Sequence, residues 1–281
     1  MAVILRSGRP HTGLAFVAAG ANRVDLGGSV PIYQIHGATL ALVHPVKTAS
    51  GSEQYIYHRG TTAAALNLFL RFVGASGGIR CGARGSTLSN QTALFDAFTN
   101  FSFDRLAVVG HSWVLGGAAL EQRLLYANHD TPLHEPRGYT SQTAPAGTVP
   151  TETGVVTVIG NSSSSSPVNA FNGSILALVH VPGVYNLAKL KHIAEQLLWH
   201  QPLNGLGLHG LWYPGKNQAG TVYDESDNGA NGTITGASYV LGYSPPSMPR
   251  RRRLWPRILG GSGYVPAVLP FTKIQFRPAA G

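Results

Sequence analysis

Gly210-Leu-Trp-Tyr-Pro-Gly215 is followed shortly by Thr221-Val-Tyr-Asp-Glu-Ser-Asp-Asn-Gly-Ala-Asn-Gly-Thr-Ile-Thr-Gly-Ala-Ser-Tyr-Val240. Leu-Trp-Tyr is an apolar, aromatic run of the kind that fits a pleated, half-buried surface. Asp224-x-Ser-x-Asn-Gly-x-x-Gly232 is dense in residues that bond their own backbone or accept unusual dihedrals, so it reads as a turn. Thr-Ile-Thr-Gly-Ala then reads as a returning strand. The segment Asp224-Glu-Ser-Asp-Asn-Gly229 is the one acidic knot of the chain. It is read as turn chemistry rather than as a calcium site, because calcium needs several converging oxygen ligands. These strands complete either their own sheet or a neighbour's, and that choice bears on function.

Outward from them, the 281 residues are 43% hydrophobic and 12% charged, too apolar for disorder and long enough for one large or two small cores. The 35 glycines and 18 prolines lie between many short apolar runs, which suits an all-β protein with frequent turns. No run approaches the roughly 18 apolar residues of a membrane span, and the apolar part of Met1-Ala-Val-Ile-Leu-Arg6 is too short for a secretory leader. No membrane insertion is expected. Cys81 is the single cysteine, which excludes an intrachain disulfide and a cysteine zinc cage and reads as a small buried hydrophobe. The net charge of +9, part of it the run Arg250–Arg253, favours acidic partners.

Leu14 to Gly28 reads as two short strands around a turn, with Gly20 and Asn22 supplying the turn chemistry. Thr39-Leu-Ala-Leu-Val-His-Pro45 is a buried strand that must end or reach a sheet edge at its proline. Gln54–Arg59, Leu66–Val73 and Gly78–Ala83 follow at the spacing of a meander. Arg105–Gly110 and Gln122–Asp130 form the next pair. A long passage rich in proline and threonine, Thr131 to Thr153, is a functional, partner-bound or mobile loop. Val155–Gly160 is a strand, Ser162–Ser166 a flexible connection, and Phe171–Val181 another strand. Asn186 to His200 is the one helix, with Leu187, Leu190, Ile193, Ala194, Leu197 and Leu198 at helical spacing and Asn186 as its cap.

In this order the segments resemble a laminin-G-like domain of the concanavalin A-like lectin/glucanase superfamily, spanning residues 13–200. Leu14–Leu26 resembles the family's Phe-Asp-Gly strand pair, Phe103-Asp-Arg-Leu-Ala-Val-Val109 its central strand, and Arg123-Leu-Leu-Tyr-Ala-Asn-His129 its Leu-Tyr-Val-Asn-Gly strand. Asn172–Val181 with Leu187–Ile193 resembles its closing strand and short helix. The resemblance implies an all-β antiparallel sandwich of concanavalin A-like jelly-roll type. Residues 201–240 then supply strands that complete the same or a neighbouring sandwich, and residues 241–281 form an extended arm rich in proline and arginine. The motif at 210–240 normally opens such a sandwich, so its late position implies permutation or strand exchange. Stand-alone proteins with this late tryptophan strand and arginine-rich tail resemble virion proteins of tailed phages.

The chain departs from the family where chemistry is expected. The Phe-Asp-Gly acid is absent from Phe16-Val-Ala-Ala19, and no Glu-x-Asp-x-x-Glu strand offers the paired carboxylates that glycoside hydrolysis needs. A rival segment, Leu106-Ala-Val-Val-Gly-His-Ser-Trp-Val-Leu-Gly116, resembles the nucleophile turn of an α/β-hydrolase, with Asp130 and His180 or His200 available as partners. Val114 occupies its second glycine position, so Ser112 is read as a polar loop residue, and an esterase using Ser112 stands as the alternative. His36, His44, His58 and His111 lack metal-ligand spacing.

The expectation is a non-enzymatic structural or adhesive virion protein, in capsid decoration, head fibre or tail, with glycan binding as an added role. A secreted or surface lectin-like module is a further alternative, which would place the chain outside the cell rather than in a virion made in the host cytoplasm. No catalytic residue, metal or cofactor is expected. Trp212 and Tyr213 are the glycan-binding candidates, and Arg250, Arg251, Arg252, Arg253 and Trp255 the assembly contacts. The partners are other virion proteins, copies of itself and host-surface glycans; nucleic acid is not expected.

Overall fold

The computed structural model describes residues 11–17, 21–26, 36–46, 53–60, 66–73, 78–83, 92–95, 105–118, 121–135, 139–144, 155–162, 169–203, 205–216, 220–226 and 228–243. All lie in the unit Met1–Pro246. The assembly candidates Arg250–Arg253 and Trp255 fall outside the described residues.

Two antiparallel sheets face one another. The first runs β16 (Ser238–Tyr243), β1 (His11–Phe16), β12 (Gly173–Pro182), β3 (His36–Pro45), β8 (Ala107–Val114) and β9 (Arg123–Asn128), with β13 (Gly210–Trp212) also paired to β12. The second runs β10 (Ser141–Gln142), β7 (Thr92–Phe95), β6 (Gly78–Ala83), β5 (Leu66–Val73), β4 (Gln54–Gly60), β11 (Val156–Ile159), β2 (Arg23–Leu26), β15 (Gly232–Thr235) and β14 (Thr221–Val222). Between them lies a core of alternate residues, among them Leu14, Val24, Ala41, Ile56, Leu70, Val109, Ile175 and Trp212. The fold is thus the all-β sandwich expected.

The helix α1 (Leu187–Leu198) closes a second core on the outer face of the first sheet, where Leu190, Ile193, Ala194 and Leu197 meet Leu40, Val108 and Val179. This explains why β3 and β12 read as continuous apolar runs rather than alternating ones: both of their faces are covered. The helix begins where Asn186 Oδ1 accepts the Lys189 backbone N–H at 3.0 Å, which satisfies one of the free donors of the first turn.

The segment Leu14–Leu26 is not one hairpin. β1 belongs to the first sheet and β2 to the second, so their apolar residues reach the same core from opposite sides. Their neighbours are the late strands. β16 lies on β1 with Leu14 opposite Tyr239, and β15 lies on β2 with Leu26 opposite Gly232. The strands of residues 210–243 therefore pair within their own chain.

Candidate functional site

The acidic knot is consumed by structure. Asp224 Oδ1 accepts the backbone N–H of Leu211 at 3.0 Å and of Ser226 at 2.9 Å, and Oδ2 accepts that of Ala230 at 3.0 Å. Asn231 Oδ1 accepts the Asp224 backbone N–H, and Asn228 donates its side-chain amide to the His209 carbonyl. The turn thus clasps β13 to the end of β14. Charge-assisted bonds of this kind are worth about 1.5–3 kcal/mol each. Among the described residues no group of three or more His, Cys, Asp or Glu side chains is placed to hold a metal ion.

Trp212 has no exposed surface; its ring fills the core and its indole N–H donates to the Ala230 carbonyl. It has no face to offer a sugar, because in β13 it is the side chain that points between the sheets. Tyr213 points the other way, against the helix-side core, with the Lys216 ammonium 6.0 Å from its ring centroid. Burial pushes its phenol up to about 12, with Glu225 adding to the rise.

Ser112 sits within β8, opposite Ala38 and Arg123. A strand interior is not a nucleophile turn, and β8 leads to β9 rather than to a helix. Its buried hydroxyl has no hydrogen-bond partner among the described residues, so none of the described histidines is bonded to it. The reading as a loop residue is corrected too: Ser112 is part of the strand.

The four scattered histidines stay apart. His36 and His44 lie towards opposite ends of β3, His111 points into the sandwich and His58 away from it. His111 Nε2 is hydrogen-bonded to the Tyr57 phenol at 2.5 Å across the two sheets, and complete burial lowers its pKa to about 3. Beside it in the same interior layer, Thr39 bonds His180 and Arg59 bonds Thr157.

A more reactive arrangement lies on the outward face of the second sheet, which among the described residues carries no helix. Register opposes Tyr55 to Arg71, His58 to Phe69, and Arg71 to Arg80. The Arg71 guanidinium donates to the Tyr55 phenol and pairs with Glu53 at 2.6 Å, while its carbon lies 5.0 Å from the Tyr55 ring centroid and 4.9 Å from that of Phe69. Tyr55 and His58 meet edge to face at 6.0 Å. Tyr55 is 3% exposed, His58 1%, Phe69 5% and Arg71 8%. Desolvation lowers the His58 pKa to about 4, so its ring is neutral near pH 7. Both of its nitrogens, together with Arg71 Nε and Arg80 Nε, are buried without hydrogen-bond partners among the described residues. The strands were legible in the sequence, but the face was not. β4 carries register shifts between Tyr55 and Tyr57 and between Arg59 and Gly60, and a shift of one residue sends every later side chain to the other side.

No family model matches the chain, and no curated protein matches it in sequence. Among solved structures, it is similar to a protein of Bacteroides ovatus provisionally described as carbohydrate-binding, at 12% identity and a TM-score of 0.55 over 84% of this chain. The chain spans 61% of that protein's length. It is also similar to a heptameric SAP-like pentraxin of Limulus polyphemus, at 11% identity and a TM-score of 0.51, covering 83% of this chain and 95% of the pentraxin. At such identities the likeness is one of fold: a jelly-roll sandwich.

Proposed function

We propose that the protein is a non-enzymatic, lectin-like module that binds glycan on the outward face of its second sheet. The observation that carries this is the cluster of Tyr55, His58, Phe69 and Arg71, a buried aromatic and hydrogen-bonding set on the sheet face turned away from α1. Aromatic rings offer flat apolar surface to the C–H faces of a sugar, and guanidinium and imidazole nitrogens orient its oxygens. The sandwich shared with a provisionally carbohydrate-binding protein supports the reading at the level of fold. Because these side chains are nearly closed to water, ligand entry requires local opening, and slow association is expected. A glycan array probed with the full chain tests it. Binders that lose at least tenfold in affinity on Tyr55→Ala, with circular dichroism unchanged, support the reading; an array without binders, or one indifferent to Tyr55→Ala, overturns it.

We also propose a place for the chain in a tailed-phage particle, with other virion proteins and copies of itself as partners. What favours this second reading is the composition of residues 241–281, where Arg250–Arg253 stands between Pro249 and Pro256, a concentration of positive charge suited to an acidic neighbour. Deleting residues 247–281 is expected to abolish incorporation into particles. Undiminished incorporation would overturn it.

A further inference from the structure

We infer that the outward face of the second sheet is built for an anionic ligand, a carboxylate or sulfate ester carried on the glycan, seated between Arg71 and Arg80. This deepens the glycan reading and rests on it.

Arg71 and Arg80 stand directly opposite one another on β5 and β6. Side chains so paired have Cβ atoms about 5 Å apart, and like charges in that position repel. Arg71 is answered by Glu53 through Nη2 at 2.6 Å. Among the described residues, no carboxylate answers Arg80. Among the described residues around Tyr55, two guanidinium groups, Arg71 buried and Arg80 half-buried, thus stand against one carboxylate, and an uncompensated charge there is costly. Arg71 Nε and Arg80 Nε are both buried and both lack partners among the described residues. These are N–H donors with no acceptor function, so what satisfies them must bring lone pairs.

His58 adds to the same logic. It is 1% exposed, lies diagonally from Arg71 across β4 and β5, and neither ring nitrogen has a hydrogen-bond partner among the described residues. As a neutral imidazole it offers one donor and one acceptor. A sugar acid presents that set: two carboxylate oxygens for the guanidinium groups and a hydroxyl that both gives and accepts a bond. Planar forks also match carboxylate or sulfate better than an ammonium would. Tyr55 and Phe69, which touch each other and both lie beside the Arg71 guanidinium, supply the apolar flank for the ring.

Titration calorimetry of the full chain with methyl glucuronide, glucose 6-sulfate and methyl glucoside tests the inference, against Arg80→Gln and Arg71→Lys. An acidic sugar is expected to bind at least tenfold more tightly than the neutral one. Arg80→Gln should erase that advantage without lowering the melting temperature in the absence of ligand, since it removes one of two facing like charges. The glucuronide and the sulfate distinguish which anion fits better. Equal binding of acidic and neutral sugars overturns the anionic inference and leaves the glycan reading standing. Binding of free sulfate or acetate that depends on Arg80, with no sugar bound, supports the anion site and overturns the glycan reading. If no ligand binds, both fall.

Discussion

The indole nitrogen of Trp212 donates to the carbonyl of Ala230 at 2.7 Å, inside a core where Trp212 has no exposed surface. One bond thus fixes β13 of the first sheet to the turn that leads into β15 of the second. Replacing Trp212 by phenylalanine keeps an aromatic ring but leaves a void and an unanswered carbonyl. A loss of about 2–4 kcal/mol is expected, read from the urea midpoint at constant slope; a change under 0.5 kcal/mol would contradict the packing described.

Asp224→Ala strips the acceptor from three backbone N–H groups at once. Because all three donors are part-buried and water replaces much of the lost acceptor, about 2–3 kcal/mol of destabilisation should follow rather than the full sum, and Asp224→Asn should lose less. Because both carboxylate oxygens are already occupied by backbone donors, millimolar calcium should leave the wild-type melting temperature unmoved. A calcium-dependent rise lost in Asp224→Ala would reverse the structural reading of this turn.

Stability should fall on mild acidification. The folded pKa values of His58, about 4, and His111, about 3, lie below the ordinary 6.5. As pH drops below 6.5 the unfolded chain takes up protons that the folded chain refuses. The full stability is therefore present above pH 6.5 and is lost progressively towards pH 4, at up to about 1.4 kcal/mol per pH unit for each histidine. Burial lowers His129 in the same sense. Urea titrations at pH 7.5, 6 and 5 check this, and an unchanged midpoint would refute it.

Ser112→Ala removes a buried hydroxyl that has no partner among the described residues, so it should be neutral or stabilise the fold by up to about 1 kcal/mol. Ester hydrolysis is expected neither before nor after. Turnover of a nitrophenyl ester by the wild type, absent in the variant, would restore the enzyme reading.

Much of the architecture was legible because hydrophobic period and turn residues agree locally. The helix is the clearest case: its apolar spacing and its Asn186 cap lie in one short segment. Pairing between distant strands has no such local mark. Leu14–Leu26 reads as a hairpin because its two apolar runs are adjacent, yet their partners come from the far part of the chain. Trp212 looked like a ligand platform because an aromatic pair in a strand does not reveal which member faces inward; Gly210 shows it afterwards, since a Cβ there would stand 2.0 Å from the indole. The outward cluster on β4 and β5 was missed for a related reason. Its members are spaced irregularly by the bulges, so no period in the sequence groups Tyr55 with His58.

The placing of β15 on β2 and of β16 on β1 also has a consequence in time. While the chain is being made at about 5–20 residues per second, β1 and β2 each keep one open edge until residues 232–243 emerge. Neither sheet acquires these neighbours before nearly all of the sandwich has been synthesised. Such distant closure makes for slow folding, and it leaves Leu14, Phe16, Val24 and Leu26 dependent on the last strands to arrive.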